Sequence, residues 1–187
     1  MSRNADEPDQ PFVARLDNRD DNFQLFKSMV THLWAQTRFG TLNINLQEAL
    51  AAFPDWQRAV AVFHALETMR LDRLIAAELP GLFRRMRDLS ARLDDAPAGS
   101  DWRAAERALA GAVASAADSL EWVARVYHSA PPPQRCYQGH LNPAEAWAAR
   151  MRRIERDKAR LRESLRVIAN EIAEGRPDRA PPEQFEL

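Results

Sequence analysis

The residues with the best claim to chemistry are few. Cys136-Tyr137-Gln138-Gly139-His140 places a thiol and an imidazole four residues apart in one loop. Such a pair could serve as nucleophile and base, or as two ligands of a metal ion. Against that stands a packing role, with Tyr137 closing one end of the fold. The other histidines, His32, His64 and His128, lie far apart in the chain, and none stands in Glu-x-x-His or His-x-x-x-His spacing. The di-iron and zinc-helix signatures are therefore absent. There is no P-loop, no Gly-x-Gly-x-x-Gly and no Gly-x-Ser-x-Gly. Six glycines leave little material for a phosphate cradle. His32 and His64 fall within helical stripes and read as residues of the core edge. The expectation is a chain without enzymatic activity, catalytic residues, metal or cofactor.

Charge offers a second kind of chemistry. The net charge is −1, so attraction for nucleic acid must be local. From Trp147 to Arg166 there are eight basic residues and three acidic ones. Arg152, Arg153, Arg156 and Arg160 fall on one side of a helical projection, and Arg84, Arg85 and Arg87 form a second cluster. Either set could contact phosphates of DNA or RNA without reading bases. The plainer expectation is a solvated face paired with nearby acids. No aromatic residues interleave with the stripe, as a single-strand platform would need. Arginine outnumbers lysine 24 to 2, and alanine is abundant. That bias reads as a GC-rich, bacterial-like composition before it reads as function.

The elements that would position these residues are helical. Asn142-Pro143-Ala144-Glu145 has the form of a helix start, with an amide cap, a proline at the first helical position and a carboxylate three residues on. Gly175, followed by Pro177, marks the stop. Between them Trp147, Met151, Ile154, Lys158, Leu161, Leu165, Ile168 and Ile172 recur at alternating spacings of four and three. That is a coiled-coil seam with Met151, Lys158, Leu165 and Ile172 at a positions. A lone charged a residue can select register in a homodimer, or its head can reach past an intramolecular seam to water. Both readings stay open.

Upstream, Phe23, Phe26, Val30, Leu33 and Trp34 mark one stripe of a first helix and predict its buried face. Gly40 ends that helix. Leu42, Ile44 and Leu46 alternate with asparagines, and form an extended connector to a short helix from Leu46 to Phe53. Pro54 starts the next helix, which either runs to Pro80 or breaks near Asp72. A further helix carries Leu82, Phe83, Met86, Leu89 and Leu93, and a loop follows to Ser100. Asp101 to His128 reads as one long helix, stopped by Pro131-Pro132-Pro133. With its successor it would make an antiparallel hairpin of arms roughly 40 and 48 Å long.

The expected fold is all-α, a bundle of five or six helices ending in that long antiparallel helical hairpin. Residues 1–18 read as a flexible acidic arm, 19–175 as a single helical domain and 176–187 as a disordered C-terminal tail. In the tail, Phe185 and Leu187 among acids could dock in a partner groove. One cysteine excludes an intrachain disulfide, and no signal-peptide pattern opens the chain. The expected location is cytoplasmic, with no membrane contact. The leading expectation of function is an assembly or adaptor protein that binds a protein partner, including a second copy of itself, through the long last helix. A small nucleic-acid-binding subunit is the alternative, and a ligand-binding or enzymatic bundle using Cys136 and His140 is the third.

Overall fold

A computed structural model describes residues 16–93, 99–111, 113–129, 133–139 and 141–173. The described residues are helical, with no strand among them. The elements are α1 (Arg19–Arg38), a 3-10 turn (Thr41–Asn43), α2 (Leu46–Ala49), α3 (Trp56–Glu78), α4 (Pro80–Leu93), α5 (Ser100–Leu109), α6 (Ala116–Val126) and α7 (Pro143–Ala173). The chain divides into two compact units, Met1–Ala144 and Glu145–Leu187.

In the first unit everything is organised on α3. Asp55 caps it, accepting the Arg58 N–H at 2.9 Å, so Pro54 stands just outside rather than opening the helix. The helix then runs 23 residues without a break at Asp72, and Pro80 begins α4 immediately afterwards. Ala59, Val62, Phe63, Ala65, Leu66, Leu71 and Ile75 are buried, and they point to more than one side. A helix apolar on several sides belongs in the middle of a bundle. One core joins Val62, Phe63 and Leu66 to Trp102, Leu109 and Val123 of α5 and α6. A second core joins Leu71 and Ile75 to Leu25 and Ala35 of α1, Met86 and Leu89 of α4, and Tyr137.

Helix α1 is turned over relative to the periodicity of its large residues. Phe23, Phe26, Val30, Leu33 and Trp34 are exposed, Phe23 by 66% and Phe26 by 49%. The buried face is Leu25, Ser28, Thr31, His32, Ala35 and Gln36. Its hydroxyls are satisfied within the helix: Ser28 donates to the Gln24 carbonyl at 2.7 Å and Thr31 to the Lys27 carbonyl at 2.8 Å. Self-bonded hydroxyls let Ser28 and Thr31 be buried at little desolvation cost beside Leu25 and Ala35. Gly40 follows α1 with φ of +77°, a left-handed conformation that a Cβ would oppose, and one built there would also meet Asn43 at 3.0 Å.

The stretch expected as one helix from Asp101 to His128 is two. Helix α5 stops at Leu109, and Ser115 opens α6 with a reciprocal capping box to Asp118. The Ser115 hydrogen bonds hold the Asp118 carboxyl below its usual range. Alanine content favours helix on both sides, but Gly111 and the Ser115-Asp118 box interrupt it locally. The connector expected to be extended from Leu42 to Leu46 begins inside a 3-10 turn, Thr41–Asn43, and is extended at Ile44. Asn45 stands at the N-cap position of α2, and its side chain donates to Glu48 at 3.3 Å instead of capping.

Helix α7 belongs almost wholly to the second unit. It starts at Pro143, as its capping pattern predicts, and its 31 described residues run unbroken to Ala173. The expected stop at Gly175, the acidic arm up to residue 15, Pro131 and Pro132, and the tail with Phe185 and Leu187 lie outside the described residues.

Candidate functional site

Along α7 the seam residues face the surface. Met151, Leu161, Leu165, Ile168 and Ile172 are exposed, Leu165 by 55% and Ile172 by 68%, while Trp147 and Ile154 are half-buried. The structure thus brings the eight predicted positions into one row on one helix. Lys158, the charged member, is exposed and donates to Glu155 at 2.8 Å. That hydrogen bond, and the charge behind it, hold the Glu155 carboxyl below its usual range, with a smaller pull from Arg162.

The opposite side of α7 carries the arginines. Arg152, Arg153, Arg156 and Arg160 are all exposed. Asp157 sits 3.7 Å from Arg153 and 4.0 Å from Arg156, so part of the stripe is internally neutralised. Ion pairs this exposed contribute little to stability. On α4, Arg84, Arg85 and Arg87 are exposed as well. Arg84 and Arg85 border a shallow depression together with Lys27 of α1 and Asp88, a juxtaposition the one-dimensional pattern does not reveal.

The loop singled out for a thiol and an imidazole resolves in part. His140 is outside the described residues. Cys136 is half-buried and packs against the second core. Tyr137 is buried, and its hydroxyl donates to Asp72 at 2.7 Å, which ties the loop to α3. Cys136, Gln138 and Gly139 also line a cleft of about 860 Å³ with His64, Trp56 and Gln57 of α3. Among the described residues, His64 is the imidazole that shares a cavity with Cys136, a pairing across 72 residues that spacing along the chain cannot signal. No cluster of three or more metal-ligating side chains occurs among the described residues.

Within the first unit lies a buried polar knot that sequence reasoning passed over. Glu67 and Arg70 are almost wholly buried. Arg70 grips both carboxylate oxygens, Nε to Oε1 at 2.8 Å and Nη2 to Oε2 at 2.7 Å. The Thr41 hydroxyl donates to the same carboxylate. Arg70 also donates to the Phe39 carbonyl at 3.1 Å and the Ala114 carbonyl at 3.4 Å. One guanidinium thereby fastens the end of α1 and the α5–α6 link to α3. This geometry is structural: all three guanidinium nitrogens are engaged by protein acceptors.

No helix of the described residues is long and apolar enough to cross a membrane. Compared with protein-family models, with curated proteins and with solved structures, this chain matches none.

Proposed function

We propose that this chain is a non-enzymatic assembly or adaptor protein whose long C-terminal helix makes the protein–protein contact. The observation that carries the reading is the exposed seam on α7. Five large apolar side chains stand at coiled-coil spacing on a helix of 31 residues and leave their faces open. A contiguous apolar row on a surface helix marks an interaction site more often than a scatter of exposed residues does. Its 3-4 spacing selects another helix as the complementary surface. The exposed aromatic row on α1 supports the same class of function, since it too is apolar surface at helical spacing.

The test compares the native chain with a Leu161→Glu, Leu165→Glu variant. Both positions are exposed, so the charges leave the helix intact and act only on what the seam binds. Cross-linking in the source cells is expected to give adducts with the native chain and to lose them with the variant. Equal adducts from both would overturn the reading.

A second reading rests on Lys27, Arg84 and Arg85 gathering at one depression with Asp88 as the one acid there. Such a cluster fits phosphate groups of DNA or RNA. Titration against duplex and single-stranded probes at two salt concentrations tests it. Three released contacts correspond to a log–log salt slope of roughly −2 to −3. Absence of binding at low salt leaves these arginines as solvated surface.

A further inference from the structure

Resting on the assembly reading above, we propose that the partner of α7 is a second copy of α7. The two helices pair antiparallel about a two-fold axis that passes between Lys158 and Leu161.

The row itself is long enough. Trp147 to Ile172 covers nearly four heptads, about 38 Å of helix, without a proline or glycine. What remains is to decide which helix it fits, and the flanking charges decide that. With Met151 at a, the e edge carries Glu155 and Arg162, and the g edge carries Arg150, Asp157 and Glu171. Edge charges of this kind set partner choice and orientation in paired helices.

Consider the two self-pairings in turn. In a parallel pair a g residue faces the following e residue of the other copy. Arg150 would meet Glu155, and Asp157 would meet Arg162. In an antiparallel pair like edges face each other. Glu155 then meets Arg162, and Arg150 meets Glu171. Each arrangement satisfies four ion pairs by symmetry, so a second copy is complementary either way and the edges alone do not orient it.

The seam does. In a parallel pair each a residue faces its own copy, which sets Lys158 against Lys158 and Trp147 against Trp147. Two ammonium groups facing each other between apolar layers repel and are desolvated together. In the antiparallel pair a faces d. Lys158 lies beside Leu161, Leu165 beside Ile154, Met151 beside Ile168 and Trp147 beside Ile172. All eight positions overlap, each large ring meets an aliphatic side chain, and the two ammonium groups are separated. Lys158 keeps its bond to Glu155, which stands on the rim that Arg162 of the other copy completes. Opposed helix dipoles favour the same direction.

The experiment is sedimentation velocity on the full chain at up to about 100 µM, a range that detects self-association weaker than micromolar. The native chain is expected to run as a dimer. Glu155→Arg alone is expected to weaken it by at least about 10-fold, because the introduced guanidinium would face Arg162 of the other copy at both symmetry-related contacts. Glu155→Arg combined with Arg162→Glu is expected to restore the native affinity within about 3-fold. The same double change in a parallel pair would set arginine against arginine and acid against acid, so a double variant weaker than Glu155→Arg alone overturns the antiparallel arrangement. A native chain that is monomeric throughout overturns the second-copy inference. It leaves the assembly reading to be decided by the Leu161→Glu, Leu165→Glu comparison, which does not depend on who the partner is. Circular dichroism on each variant checks that α7 is still helical; all the changed positions are exposed.

Discussion

His32 and His64 face each other inside the first unit with ring centroids 6.3 Å apart. Tyr137 lies 5.9 Å from His32 on another side. Neither nitrogen of His32 has a hydrogen-bond partner among the described residues, whereas Nε2 of His64 lies 3.5 Å from the Gln36 amide. Burial, and then the neighbouring His64, lower the His32 pKa from 6.5 to about 3. The pair is therefore a packing device at neutral pH and a liability in acid.

The sign of the effect follows from which state takes the proton. Below about pH 6.5 the unfolded chain protonates His32, and the folded chain does not until about pH 3. Stability is complete above the unfolded value and declines as pH falls through that window, by roughly 1.4 kcal/mol per pH unit at most. Urea unfolding at pH 7.5 and 5.0 measures it. His32→Leu is expected to flatten the response by about 2 kcal/mol over that interval. An identical acid loss in both proteins would assign the titration to other groups.

The Glu67–Arg70 knot makes a prediction of a different form. Arg70→Met leaves a buried carboxylate with only Thr41 to answer it, and is expected to cost about 3–5 kcal/mol. Replacing both members, Glu67→Leu with Arg70→Met, removes the uncompensated charge and is expected to recover most of that loss. Thr41→Val removes one donor and is expected to cost about 1 kcal/mol. Chemical denaturation of the three variants orders them. A double variant as unstable as Arg70→Met would mean that the carbonyl contacts to Phe39 and Ala114, not the ion pair, hold the two links in place.

Helix α1 can be tested by opposite expectations on adjacent residues. Leu25 is buried and Phe26 is exposed by 49%. Leu25→Ala is expected to destabilise by about 2–5 kcal/mol, and Phe26→Ser by no more than about 0.5 kcal/mol. The reverse order would mean that the aromatic face is the one packed against the core.

Those two residues also locate the limit of what was legible. A hydrophobic stripe states which face of a helix is most apolar, but not which surface covers it or whether that surface is in the same chain. In α3 the two questions coincide, because apolar residues occur on several sides and some of them must be buried whichever neighbour arrives. In α1 they separate: a mixed face of Leu25, His32, Ala35 and Gln36 with two self-bonded hydroxyls packs inside, and Phe23, Phe26 and Trp34 stay out. Helix ends were legible where side chains act locally, at Pro143 and Gly40. They were hidden where a short interruption competes with strong propensity on either side, as between Leu109 and Ala116. The helix that carries the α7 row was legible, since regular spacing over so many turns has few structural interpretations, but what covers the row was not. The cleft was not: His64 and Cys136 come from distant segments, and only the fold places them on one cavity.

The junction of α3 with α6 provides a last expectation. The Tyr127 hydroxyl accepts the Asp55 N–H at 2.9 Å and donates to the Asp55 carbonyl at 3.3 Å. Arg58 returns the contact, with Nε on the Tyr127 carbonyl at 2.8 Å and Nη2 on the Ser129 carbonyl at 2.8 Å. The residue that caps α3 is thus itself held by the end of α6. Tyr127→Phe keeps the ring against Phe53 and loses only the hydroxyl, and is expected to cost about 1 kcal/mol. Arg58→Met removes two charge-assisted bonds to carbonyls and is expected to cost about 1.5–3 kcal/mol. Because the two side chains serve one junction, their effects should combine to less than their sum, and a double-mutant cycle measures the shortfall. Strict additivity would show that the cap at Asp55 is set by α3 alone, independently of what α6 presents to it.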